Sequence, residues 1–164
     1  MRGKTFVLIA FLLTALAEAG AAAKPTAEAT RAGSDFAKLG VGIDDVALVS
    51  DGGAKVAWRD LKGPPRAVFF GFTHCPVICP VTVWELDAAL AEVGQGADRI
   101  KVNFVSLDPA RDTPAVLHEY FSGFKSRVVG LSGSMPDVKR LAKAFAVTFQ
   151  KVTLGKTDYT LDHT

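Results

Sequence analysis

Three observations predict an α/β fold in which a central β-sheet is flanked by helices. Apolar runs rich in β-branched and aromatic residues alternate with segments of helical spacing across residues 41–164. Turn residues separate nearly every pair. Cys75 and Cys79, the only cysteines in the chain, fall where the first core run gives way to its helix pattern. Alternation of strand and helix implies a layered α/β domain. A reactive cysteine pair at that junction points to its thioredoxin-like version.

The elements follow in order. Val46–Val49, Asp51-Gly52-Gly53 and Lys55–Trp58 read as an N-terminal β-hairpin closed by a glycine turn. Arg66–Phe72 is continuously apolar and predicts a central strand buried on both faces. After the cysteines, Val83, Trp84, Leu86, Leu90 and Val93 mark a helix that Gly94 and Gly96 end. Ile100–Leu107 is a second core strand. Asp112-Thr113-Pro114 opens a helix running to about Gly123, with Asp112 as the capping acceptor and Arg111 in an ion pair; the alternative is that Asp108, Arg111 and Asp112 brace a loop or form a partner surface. Arg127–Leu131 is a short strand. Ser134-Met135-Pro136-Asp137 starts a helix carrying Val138, Leu141, Ala142 and Phe145. Val147–Val152 is a strand, and Tyr159–Thr164 a loop or the approach to a hairpin. Trp58, Trp84, Phe69, Phe70 and Phe72 read as core packing.

The chain's ends and charge bound the function classes. Met1-Arg2-Gly3-Lys4 is a basic start, followed by an apolar stretch from Thr5 to Ala17 and small residues such as Ala17-Glu18-Ala19. That stretch is shorter than the roughly 20 residues that span a bilayer. Residues 1–23 are therefore expected to be a cleaved signal peptide, with a retained N-terminal anchor as the alternative. Residues 24–40 read as a linker, and residues 41–164 as the folded domain. Losing Arg2, Lys4 and Glu18 takes the formal charge from +2 to +1. A nearly neutral domain has no electrostatic case for nucleic acid. Export places the protein in the periplasm, or on the inner membrane facing it, where a thiol pair oxidises unless it is kept reduced.

Chemistry centres on Cys75 and Cys79. A helix N-terminus favours thiolate over thiol, and thiolate both ligates metals and attacks disulfides. If both residues lie in the first turn, their spacing puts the sulfurs on one face. Thiolate-rich sites suit Cu(I) and zinc. A purely structural disulfide is a poor reading, because closing so short a loop removes little chain entropy. His163 supplies an imidazole near the end of the sequence. His74 reads as a surface group and His118 as a helix-surface histidine. Asp158 and Asp162 are either orienting partners of His163 or plain solvated acids. From the residues alone, metal binding and thiol–disulfide exchange both stand.

Four blocks go further. Gly71-Phe72-Thr73-His74-Cys75-Pro76-Val77-Ile78-Cys79-Pro80 resembles the signature of the Sco/SenC copper-delivery family. Ser106–Pro114, Gly130-Leu131-Ser132-Gly133 and Asp158–Thr164 are similar to its later blocks, in order. The resemblance covers about residues 41–164. It implies a thioredoxin-like domain that is exported or tethered to a membrane. It implies copper as the cargo, with Cys75, Cys79 and His163 as ligands. The partner it implies is the copper-accepting subunit of cytochrome c oxidase, whose binuclear copper site would receive the ion. Other periplasmic copper carriers or thiol reductants are further partners, and nucleic acid is not one. The expected protein is a chaperone rather than a turnover enzyme. The alternative is a periplasmic thiol–disulfide oxidoreductase working through Cys75 and Cys79. Two departures stand out. Val77 occupies the place of the family's usual Asp, and the family domain carries a further strand and a C-terminal helix beyond the histidine block, which the present sequence lacks.

Overall fold

The structure, a computed structural model, describes residues 42–76, 78–124 and 128–164. The signal and linker expected over residues 1–40 lie outside these, as do Val77 and the first residue of the expected strand Arg127–Leu131. The described elements are β1 (Ala47–Ser50), β2 (Lys55–Ala57), β3 (Arg66–Gly71), α1 (Ile78–Val93), β4 (Lys101–Ser106), α2 (Pro114–Ser122), β5 (Val128–Gly133), α3 (Met135–Ala144), β6 (Phe149–Leu154) and β7 (Asp158–His163). Short 3₁₀ turns cover Trp58–Leu61 and Gly94–Arg99.

The main sheet has the order β2-β1-β5-β4-β3. β3, β4 and β5 run parallel, and β1 is antiparallel to both β2 and β5. β6 and β7 form a separate two-stranded hairpin with Phe149 opposite His163. The terminal segment expected to be a loop or the approach to a hairpin is thus its second strand.

The fold class matches the expectation, with one correction. β3 was predicted to be central, yet it pairs with β4 alone and forms an edge of the sheet. An apolar run reports that the faces of a strand are covered, not that both sides are hydrogen-bonded. Even the cover is partial: Phe70 and Gly71 are buried, whereas Arg66 to Phe69 are half-buried.

Helices cover the two faces. Val83 of α1 and Leu117 and Phe121 of α2 pack on Val102, Phe104 and Val128. Val138, Leu141 and Ala142 of α3 pack with Leu48, Phe70, Val105, Leu131 and Leu161 on the other side. β4 serves both layers because alternate side chains point to opposite faces. Trp58 stacks edge-on against Phe145 at 5.4 Å. Trp84 is not core: it is 66% exposed on α1. Its place in the apolar pattern lies beside the buried stripe rather than in it.

The caps also need one correction. Thr113, not Asp112, caps α2: its hydroxyl accepts from the Val116 N–H at 3.3 Å. Ser134 caps α3, accepting from the Asp137 N–H at 3.2 Å. Gly94, at φ +64°, ends α1 in a backbone conformation that favours glycine.

Candidate metal centre

β3 delivers the chain to the cysteine loop, and α1 leads it away. Cys75 precedes α1 and Cys79 lies in its first turn, so the two do not share a helical turn as the spacing allowed. They meet all the same, because the Cys79 N–H donates to the Cys75 sulfur at 3.5 Å. Another backbone bond, from the Cys75 N–H to the Phe72 carbonyl at 3.2 Å, closes the loop. Cys75 and Cys79 are not joined in a disulfide, and both are buried, Cys75 at 8% exposure and Cys79 at 0%.

Burial decides the protonation of Cys79. It pushes that thiol up to about 12, and the neighbouring Cys75 and Asp112 push the same way, while a backbone hydrogen bond at Phe72 opposes them. The expected thiolate at a helix N-terminus is therefore corrected for Cys79: desolvation outweighs the helix dipole. Gly71 makes room for this sulfur. A Cβ there would stand 3.0 Å from Cys79 Sγ and 2.9 Å from the Phe104 ring.

His163 comes to the same end of the molecule. Its ring meets Phe72, three residues before Cys75, edge-on at 6.0 Å. His163 Nδ1 lies 3.0 Å from the Thr164 carbonyl oxygen. A carbonyl only accepts, so Nδ1 donates here, and Nε2 is the ring nitrogen left facing away from that bond. The ring also lines a hollow of about 310 Å³ with Phe149 and Gln150, which neither cysteine lines. Among the described residues, no three His, Cys, Asp or Glu side chains stand close enough together to hold a metal ion. The thiols are thus paired, and the imidazole is brought beside their loop without converging on them.

The acids do not orient His163. Asp162 accepts from Gln150 Nε2 at 3.3 Å, and Asp158 faces Arg111 at 3.5 Å. His74 is exposed, with Nδ1 3.1 Å from the Thr73 hydroxyl, and His118 is exposed on α2. Arg111 does form an ion pair, with Asp108.

Asp112 takes the loop-bracing role that the sequence offered as the alternative to capping. This carboxylate is fully buried and accepts from the Thr73 N–H at 3.1 Å, the Thr73 hydroxyl at 2.6 Å and the Ser106 hydroxyl at 2.6 Å. It ties the loop after β4 to the cysteine loop. The available signal was an acid beside a better cap, Thr113, which left Asp112 free for another partner.

Comparison with known proteins agrees with this architecture. The sequence model of the SCO1/SenC family matches residues 43–164. The mitochondrial protein SCO1 homolog 1 of Arabidopsis thaliana is 36% identical over 82% of this chain. Protein sco1 of Schizosaccharomyces pombe is 37% identical over 71% of it. The chain spans 40% and 46% of the lengths of these two relatives. Among solved structures, copper-bound ScoI of Bradyrhizobium japonicum superposes with a TM-score of 0.68 at 39% identity, covering 73% of this chain and 76% of that one. Copper-bound yeast Sco1 gives 0.64 at 34% identity, covering 73% and 67%. No helix among the described residues is long and apolar enough to cross a membrane.

Proposed function

This chain belongs to the SCO1/SenC family, and on that footing we propose that it carries one copper ion on Cys75, Cys79 and His163. In this reading it delivers the ion to the copper-accepting subunit of cytochrome c oxidase. The observation that carries the proposal is a pair of buried cysteines in one loop with an imidazole held against Phe72 beside that loop. Two relatives solved with copper bound support the choice of ion.

The donor set fits the cargo. Two sulfurs and one nitrogen suit Cu(I), a soft, low-coordinate ion. Cys79 holds its proton in the metal-free protein, so copper must displace it. Nε2 of His163, the ring nitrogen not engaged with Thr164, is the one available to complete the set. Because the imidazole does not yet converge on the sulfurs, loading draws it in, and the same step in reverse gives a route for handing copper on. The protein acts as a carrier rather than as a turnover enzyme. Its place of action is the periplasm, as a free domain or tethered by its N-terminus.

The second reading is thiol–disulfide exchange, and one observation favours it: the Cys75 sulfur already contacts the Cys79 backbone. With Cys79 buried and pushed up to about 12, attack would have to begin at Cys75, the less buried of the two.

Reconstitution of the reduced protein with Cu(I) tests the proposal. One ion per chain is expected, with weaker retention in His163→Ala while Cys75 and Cys79 are intact. Unchanged affinity in that variant removes the three-ligand arrangement. A reduced protein that retains no copper ends the copper reading and leaves exchange, which a reduction potential and a rate with a model disulfide would measure.

A further inference from the structure

Building on the copper reading, we infer that Asp108, Arg111 and Tyr159 form a latch that positions the His163 arm against the cysteine loop. The arm is the β6–β7 hairpin. It pairs with no strand of the main sheet, so sheet hydrogen bonds do not set the distance from imidazole to sulfur. β6 is exposed apart from half-buried Phe149, which packs against the core, so β6 seats the arm at one point and β7 makes the remaining attachments.

β7 does so on one face. Tyr159, Leu161 and His163 are alternate residues and share a side of the strand. Leu161 is buried in the core cluster that includes Cys75 and Cys79. Tyr159 makes the polar attachment. Its hydroxyl donates to the Asp108 carboxylate, 2.9 and 3.0 Å from the two oxygens. The Arg111 guanidinium lies 3.7 Å from the Tyr159 ring centroid, and its Nη1 donates to the Tyr159 carbonyl at 3.0 Å. Arg111 Nε pairs in turn with Asp108, which is 1% exposed. Lys151 of β6 covers the ring at 3.8 Å.

The other end of the latch is the cysteine loop. Asp108, Arg111 and Asp112 belong to one short connection between β4 and α2, and Asp112 grips Thr73, two residues before Cys75. A single connection with two buried carboxylates, Asp108 and Asp112, therefore holds both the loop with the sulfurs and the strand with the imidazole. Asp108, Arg111 and Tyr159 are positioning residues in this scheme: they touch no metal and act through His163.

The test is a double-mutant cycle on Cu(I) affinity with a parallel metal-free measurement. Tyr159→Phe removes the hydroxyl and keeps the ring. It should weaken Cu(I) binding about tenfold when His163 is present, since a hydrogen bond to a carboxylate is lost. In the His163→Ala background the same change should alter binding by no more than about twofold. Equal losses in both backgrounds, or none in either, overturn the latch. In the apoprotein, Tyr159→Phe should speed amide exchange at Thr160 and Asp162, whose N–H groups face β6, while β4 and β5 amides stay protected. Unaltered exchange in β7 also overturns it. A protein that takes up no Cu(I) refutes the copper reading, and the exchange measurement still decides the latch.

Discussion

Asp112 accepts hydrogen bonds from both the backbone N–H and the side-chain hydroxyl of Thr73, a residue 39 positions earlier. Its second oxygen also accepts from Ser106. The cysteine loop is therefore braced from beneath by a buried carboxylate whose acceptor capacity is well used. Removing that carboxylate leaves buried donors without partners, which costs more than the bonds themselves contribute.

Asp112→Ala should lower unfolding free energy by about 3 kcal/mol and Asp112→Asn by less, because an amide keeps one acceptor. Urea unfolding of the metal-free protein measures both. A loss below about 0.5 kcal/mol in Asp112→Ala would mean that Thr73 and Ser106 are satisfied without it.

The pH dependence of apoprotein stability follows from Cys79. Its pKa in the fold is about 12, above the ordinary thiol value of 9.0. The folded state holds the proton more tightly than the unfolded chain. That stability is fully present below pH 9 and is lost as pH rises towards 12, by about 1.4 kcal/mol per pH unit. Tyr120, which burial and the nearby thiols also push up to about 12, adds in the same direction above pH 10. Urea unfolding under reducing conditions should show the decline beginning near pH 9 in the unaltered protein. In Cys79→Ala it should begin only near pH 10. A flat profile in the unaltered protein would contradict the protonated thiol.

Copper uptake should release protons at neutral pH. Cys79 is protonated well above that range, so each bound Cu(I) displaces at least its proton. Titration in weakly buffered solution should record this acid release, and affinity should rise with pH between about 6 and 8. Uptake without proton release would show that Cys79 is not a ligand.

Gly71 is packed against the site. A Cβ there would meet the Phe104 ring at 2.9 Å and Cys79 Sγ at 3.0 Å. Gly71→Ala should destabilise the protein by about 1–3 kcal/mol through overpacking, and should weaken Cu(I) binding by displacing the sulfur. Thermal unfolding and a Cu(I) competition titration check the two effects separately. Trp84→Ala is the contrast: at 66% exposure it should change stability by no more than about 0.5 kcal/mol.

Much of this was legible in the residues. The alternation of strand and helix patterns, the ends of α1 at Gly94 and of α3 at Ser134, and the cysteines at a strand–helix junction all follow from local chemistry. Periodicity reports which faces are covered, and turn residues report where the chain bends. Neither reports which strand lies beside which, so β3 was read as central when it is an edge. Competition between neighbours was also hidden. Asp112 and Thr113 can both cap a helix, and only the position of Thr73 and Ser106 in space assigned Asp112 elsewhere.

The site divides in the same way. Local sequence determined the types and order of the candidate donors, two thiols at a helix mouth and an imidazole far along the chain; that the imidazole sits on a strand came only from the structure. Tertiary structure alone decided how far Cys79 is withdrawn from water, and so that its proton stays on. It also decided that Tyr159 reaches Asp108 across 51 positions and seats the strand bearing His163. Desolvation and long-range contact depend on what the rest of the chain places nearby, and no stretch of residues carries that by itself.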